Sequence, residues 1–177
     1  MQVLWSRGKV IIGSFSLLLI CQGCGYRLGG FGEGMPSGIR TVAVPIFANH
    51  SQEPRIENLF TEAFRDQFYR IASLRAASDR GKADAFVQGE IVGASADPVS
   101  FSSDFLVREY LARVAVSIQL RRTEDGVVLW AVERLEDTQY FQSTSDALVY
   151  ADNREEAFQK IARRVSEKVV TQILAGF

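Results

Sequence analysis

Side chains alternate with period two over Glu109 to Arg121. Tyr110, Ala112, Val114, Val116, Ile118 and Leu120 stand against Glu109, Leu111, Arg113, Ala115, Ser117, Gln119 and Arg121. That pattern predicts a strand roughly 40 Å long at about 3.3 Å per residue. Thr123-Glu124-Asp125-Gly126 predicts a hairpin turn, because Asp-Gly supplies the positive φ angles that such turns need. Val127 to about Phe141 predicts the returning strand, with Val128, Trp130 and Val132 on one face. Leu129 and Ala131 make its other face apolar too, so the pattern does not assign the inward side. Two further strands are expected upstream. Asp84 to Gly93 sets Ala85, Val87 and Ile91 against Phe86, Gln88 and Glu90, and Thr41 to Phe47 aligns Val42, Val44 and Ile46. Pro45 has no N–H to give, so the first strand lies at a sheet edge or its pairing stops there.

Helical periodicity appears twice. From about Pro54 to Ala72, the residues Ile56, Leu59, Phe60, Ala63, Phe64, Phe68 and Ile71 form one apolar stripe, with Glu57, Glu62, Arg65, Asp66 and Arg70 opposite. Three phenylalanines on one stripe can line a lipid or cofactor pocket, but core packing is the usual reason for such a stripe. The last helix is expected to start at Asp152, where Asp and Glu155 form a capping-box-like pair. Phe158, Ile161, Ala162, Val165, Val169 and Ile173 make its stripe, and Gly176 stands where a helix stop belongs. Ser73–Lys82 reads as a polar connector, and Ala94–Arg108 as a Ser-rich loop. Gln142–Ala151 reads as a second polar loop.

The expected order is β-α-β-β-β-α. Two one-sided helices need an apolar surface each, and one sheet face can cover both. The fold class is therefore α+β: a two-layer sandwich, with an about four-stranded, mostly antiparallel sheet and two helices on one face. The other sheet face would present Gln88, Glu90, Arg113, Ser117 and Gln119.

The N-terminus adds a different feature. Arg7 and Lys9 precede an apolar run from Val10 to Ile20, and Gly23-Cys24 closes it. An apolar run of about eleven residues suits a signal-peptide core and falls well short of the roughly twenty needed to span a bilayer. A small residue before a cysteine resembles a bacterial lipoprotein signal, in which diacylglycerol is attached to the cysteine sulfur and cleavage leaves that cysteine first. Three residues before Cys24, Cys21 stands where such signals usually carry leucine, and an ordinary secretory signal is the alternative. The organisation expected is residues 1–23 as signal peptide, 24–40 as a lipidated Gly-rich tether and 41–177 as a single α/β domain.

Cleavage would leave 154 residues, 18 basic against 21 acidic, with no cysteine other than Cys24. The body is long enough for one core, cannot depend on a disulfide and lacks the basic balance that marks nucleic-acid binding.

Catalytic patterns are weak. His50 is the one histidine, so neither a zinc site of three or four ligands nor a serine triad is supported. Glu155-Glu156 and Glu136-Asp137 read as solvated faces. No enzyme activity, metal or dissociable cofactor is expected. Phe101, Phe105 and Leu106 are large apolar groups in a polar loop, which either fold back or meet a partner. Arg108 and Arg113 flank the start of the long strand, while Arg121 and Arg122 lie at its hairpin end. Arg154, Lys160, Arg163, Arg164 and Lys168 stud the last helix. Clustered guanidinium groups can hold lipid phosphates, though Glu155, Glu156 and Glu167 make a mixed-charge solvent face the plainer reading.

Four stretches carry a family resemblance. They are Gly23-Cys24-Gly25-Tyr26-Arg27-Leu28, then Pro36 to Asn49, then Glu53-Pro54 with Leu59, Thr61-Glu62-Ala63 and Phe64. The last is Gly126-Val127-Val128-Leu129-Trp130 with Asp152-Asn153-Arg154-Glu155-Glu156-Ala157. The chain resembles the lipopolysaccharide-assembly lipoproteins (LptE, or rare lipoprotein B). The resemblance implies an outer-membrane lipoprotein, anchored on the periplasmic side by a diacylglycerol and an N-acyl chain on Cys24. It implies a plug that helps assemble an LptD-type β-barrel and aids lipopolysaccharide transport to the cell surface. Candidate lipopolysaccharide or partner contacts are Phe101, Phe105, Arg108, Arg113, Arg121, Arg122, Tyr150 and Arg154. Ala151 departs from relatives that carry a basic residue before Asp-Asn. Val42-Ala43-Val44-Pro45-Ile46-Phe47 and the helix after it also resemble periplasmic lipoproteins that activate cell-wall synthases or form secretion-pore rings.

Overall fold

The computed structural model describes Met35, residues 38–77 and residues 79–176. Residues 1–23, Cys24 and most of the 24–40 tether lie outside the described residues. The elements are β1 (Thr41–Ala43), β2 (Ala48–Asn49), α1 (Ile56–Tyr69), β3 (Arg75–Ala77) and a short 3-10 turn (Arg80–Lys82). They continue with β4 (Ala85–Phe101), β5 (Val107–Arg122), β6 (Val128–Gln142) and α2 (Ala147–Ala175). The class is α+β, as the alternation and periodicity indicate. One sheet runs β3-β1-β4-β5-β6, with β2 also pairing on β4.

The sheet differs from the expected four strands in its N-terminal third. β1 pairs in parallel with both β3 and β4, and β2 in parallel with β4. A helical crossover between β1 and β3 demands that direction. Pairing does stop at Pro45, yet β1 is an interior strand rather than an edge. After the break the chain bends towards α1. Arg65 Nε donates to the Val44 carbonyl at 3.0 Å, and Phe47 N–H donates to Thr61 Oγ1 at 3.1 Å. Phe47 thereby enters the core beside Phe60 and Phe64, with ring centroids 6.3 and 5.1 Å away. Its ring occupies the space that a Cβ on Gly89 would need. β3 arises within the expected connector; three residues are too few to show a period.

The antiparallel part is longer than its sequence pattern. β4 runs through Phe101 and β5 begins at Val107, so the expected Ser-rich loop shrinks to 102–106. A register shift between Ile91 and Gly93 turns Ala94 and Ala96 towards the core, and a shift of this kind hides a strand from a period-two reading. β6 has a similar shift opposite Val116 and Ile118. Trp130 and Val132 pack inward before it, Leu135 and Phe141 after it, which is why neither parity alone marks the buried side.

The expected stripes of both helices reach one core. Ile56, Phe60, Phe64 and Phe68 of α1 and Phe158, Ile161, Val165, Val169 and Ile173 of α2 pack with Val42, Val87, Val114, Val116, Ile118 and Leu120. The three phenylalanines are therefore core. α2 starts at Ala147 rather than Asp152, because Asp146 caps it: its Oδ1 accepts from Leu148 N–H at 2.9 Å and Val149 N–H at 3.3 Å. α2 also reaches the free edge of β6. Arg164 donates to Asp137 Oδ2, Gln139 Oε1 and the Thr138 carbonyl, each at 2.9 Å.

Candidate interaction surface

Apolar side chains are displayed at the β4–β5 turn. Ser102 N–H donates to the Leu106 carbonyl at 2.8 Å and Phe105 N–H to the Ser102 carbonyl at 3.0 Å. This closure holds Phe105 at φ +59, a left-handed backbone that an L-residue with a Cβ adopts at a cost. Phe105 is 87% exposed, Leu106 68% and Phe101 55%. The first turn of α2 lies at the same end, since Ser143 N–H donates to the Arg108 carbonyl at 2.8 Å. It adds Leu148, 77% exposed, and Val149. Beneath them Tyr110 stacks on Phe141 at 5.3 Å, and Tyr150 meets Tyr110 edge-on at 5.2 Å. Burial, then the neighbouring Tyr110, pushes the Tyr150 phenol up from its ordinary value.

Arg154 has a different role in the geometry. Its Nη2 donates to Oε2 of the buried Glu53, while its Nε is buried with no partner. Burial raises the Glu53 carboxyl and Arg154 pulls it back down. The pair closes one side of a cavity of about 340 Å³ lined by Pro54, Ile56, Leu59, Tyr150 and Phe158. An arginine paired with a buried carboxylate ties the entry of α1 to α2.

The remaining arginines lie elsewhere. Arg121 donates to the Gly126 carbonyl through Nε at 3.0 Å and Nη2 at 2.9 Å, and Arg122 pairs with Asp125 at 2.8 Å. Both staple the β5–β6 turn, roughly 50 Å along β5 from its Val107 end. Arg113 is exposed mid-strand near Arg134 and Glu136. The structure thus brings Phe101, Phe105 and Arg108 to one end, with Tyr150 packed behind them. Arg113, Arg121 and Arg122 are not part of that group. Sequence reasoning missed Glu53 as the partner of Arg154, because nothing in the order of residues links positions 101 apart.

On the open outer face, His50 Nε2 stands 3.8 Å from Glu90 Oε2, with both side chains exposed. Among the described residues no group of His, Cys, Asp and Glu is arranged to hold a metal ion, and no helix is long and apolar enough to cross a membrane. A groove of about 730 Å³ opens beside the Pro45 break, lined by Ile46, Tyr69, Arg80, Phe86 and Gln88.

Residues 39–173 match the family model LptE, lipopolysaccharide-assembly. The match covers the whole sheet and nearly all of both helices. The chain belongs to the LptE family. That is a family of non-enzymatic lipoproteins for lipopolysaccharide assembly. Solved structures share the fold at low identity. A lipoprotein B from Nitrosomonas europaea is 17% identical, with 85% of this chain and 91% of that chain covered and a TM-score of 0.51. Rare lipoprotein B from Shewanella oneidensis is 10% identical, with 77% and 96% covered and a TM-score of 0.51. A lipoprotein from Caulobacter crescentus is 13% identical, with 73% and 88% covered and a TM-score of 0.50. No curated protein matches the chain.

Proposed function

We propose that this LptE-family chain is an outer-membrane lipoprotein that seats in an LptD-type β-barrel, helps it assemble and aids delivery of lipopolysaccharide to the cell surface. Residues 1–23 would be removed, Cys24 acylated, 24–40 left as a tether and 41–177 held as the plug domain. The observation that carries this reading is the family match over residues 39–173. The outer sheet face supports it: Gln88, Glu90, Arg113, Ser117 and Gln119 alternate with the core positions of β4 and β5. Such a polar face suits a large barrel lumen, which is polar as well.

The test is purification of the full chain from membranes, with mass spectrometry of the protein and lipid that come with it. A β-barrel should co-purify, and depletion of the chain should stop lipopolysaccharide reaching the surface. Recovery of a homo-oligomeric ring or a cell-wall synthase with no barrel, or normal surface lipopolysaccharide after depletion, would overturn it. Cys24→Ala should abolish incorporation of labelled palmitate.

A further inference from the structure

The ladder between β4 and the β1–β2 segment has a gap. His50 N–H donates to the Ile91 carbonyl on the β2 side of β4, and Thr123 N–H to the Asp84 carbonyl on the β5 side. Backbone groups alternate in direction along a strand, so Val87 and Gly89 turn theirs, like Ile91, towards β1 and β2. Pairing there stops at Ala43 opposite Phe86 and resumes at Ala48 opposite Glu90. Four residues, Val44 to Phe47, thus run past three, Val87 to Gly89. An extra residue of this kind is common beside functional sites.

The detour spends its own polar groups elsewhere. The Val44 carbonyl accepts from Arg65, Phe47 N–H donates to Thr61, and Pro45 has no N–H. The Val87 carbonyl and the Gly89 N–H therefore receive no bond from the chain that passes them. Both residues line the groove of about 730 Å³ at the Pro45 break. An acceptor and a donor left open on one side of a strand are what an incoming extended peptide completes.

Charge defines the ends of the occupant. The Arg80 guanidinium lies over the Phe86 ring, 3.7 Å from its centroid, and joins no ion pair among the described residues. Arg65 lines the groove too, with its Nε spent on Val44. Asp79 also lines it, and its Oδ1 accepts from Gly81 N–H at 3.2 Å. Glu90 stands at the far end, its carboxylate exposed beside His50. From Phe86 to Glu90 is about 13 Å along β4, a span that about four extended residues cover.

We infer that this groove binds a short free peptide of about four residues, extended and antiparallel to β4. Its carboxylate meets the Arg80 guanidinium, and its ammonium meets Glu90. One peptide carbonyl accepts from Gly89 N–H, and the N–H two residues later donates to the Val87 carbonyl. Ile46 and Tyr69, both exposed, give its small apolar side chains a surface to cover.

The test is amide hydrogen exchange of the purified full chain, followed by NMR, with and without the peptide Ala-Val-Val-Ala. At saturation, exchange at Gly89 should slow at least tenfold, while Arg40 and Thr41 keep their rates. The same peptide with an acetyl group and an amide on its ends should bind at least tenfold more weakly. Arg80→Gln and, separately, Glu90→Gln should each weaken the free peptide about tenfold, and Lys82→Gln should leave it unchanged. Unaltered exchange at Gly89 overturns the site. Equal binding of the capped peptide overturns the free-ended occupant in favour of an internal stretch of a longer chain. Full affinity in both Arg80→Gln and Glu90→Gln overturns the assignment of the two ends.

Discussion

The ring of Phe47 fills the space in which a Cβ on Gly89 would stand. One is the aromatic that closes the Pro45 break, the other the β4 position it covers. The glycine is thus required by close approach rather than by a turn, and Gly89→Ala must displace a ring already wedged against Phe60 and Phe64. The expected loss is about 3 kcal/mol, the upper range for overpacking a core. Chemical denaturation of the single variant and of Gly89→Ala with Phe47→Leu checks it. The double variant should be more stable than the sum of the two single losses predicts, because the smaller side chain makes room.

Glu53 and Arg154 give a second prediction. Arg154→Ala leaves a buried carboxylate without its counter-charge, a change worth about 3 to 5 kcal/mol for a fully buried pair. Arg154 is 35% exposed, so a loss of about 2 kcal/mol is expected. The Glu53 carboxyl is raised by burial, so the folded state binds its proton more tightly than the unfolded chain does. Its contribution to stability is fullest below the unfolded value of about 4.3 and falls as pH rises through the folded value. Removing Arg154 raises that value further and should steepen the loss between pH 4 and 7. Urea titrations of both proteins across that window measure it.

Asp84 behaves in the opposite sense. Hydrogen bonds from Arg40 N–H and then from Thr41 hold its carboxyl below the usual range. Its stabilisation is present above the unfolded value of about 3.9 and lost as pH falls through the folded one. Asp84→Ala should cost about 1 kcal/mol near neutral pH, and the difference from the parent should shrink in acid. Hydrogen exchange should speed up at Arg40 and Thr41 and leave the amides of β5 protected.

The strain at Phe105 supplies a fourth test. Phe105→Gly removes an exposed side chain from a left-handed backbone, a conformation that glycine adopts freely. The unfolded chain gains freedom too, so a net stabilisation of about 0.5 kcal/mol is expected from the 1 to 2 kcal/mol at stake. Thermal melting should show a small upward shift, whereas Phe105→Val, a β-branched residue, should lower the midpoint.

How far the fold could be read from residue order depended on the length of each repeat. The stripes Ile56 to Phe68 and Phe158 to Ile173 each repeat over several turns, and the alternation Tyr110 to Leu120 runs six pairs; these positions are the core. β3 has no room for a period. The extra residue in β6 between Val132 and Leu135 inverts parity, and the shift at Ile91–Gly93 does the same in β4. The helix start moved from Asp152 to Asp146 because both residues can cap, and only the surrounding chain decides which does. Among the candidate contacts, Phe101, Phe105 and Arg108 could be grouped because they share a turn. Glu53 with Arg154, and the separation of Arg121 from Phe105, are facts of tertiary placement.

The grip of Arg164 on Asp137, Thr138 and Gln139 makes the sheet self-limiting. A fifteen-residue edge strand is a standing template for recruiting further copies of a protein into fibres. Here the Thr138 carbonyl is already taken, the Thr138 N–H is held by Asp137 Oδ1 at 2.8 Å, and the Gln142 carbonyl accepts from Asn153. The extra residue after Val132 distorts the edge just upstream. An intruding strand therefore meets an interrupted edge rather than fifteen regular free residues. Arg164 therefore guards this free edge, and Arg164→Ala should shorten the time for which the purified chain stays clear of aggregates.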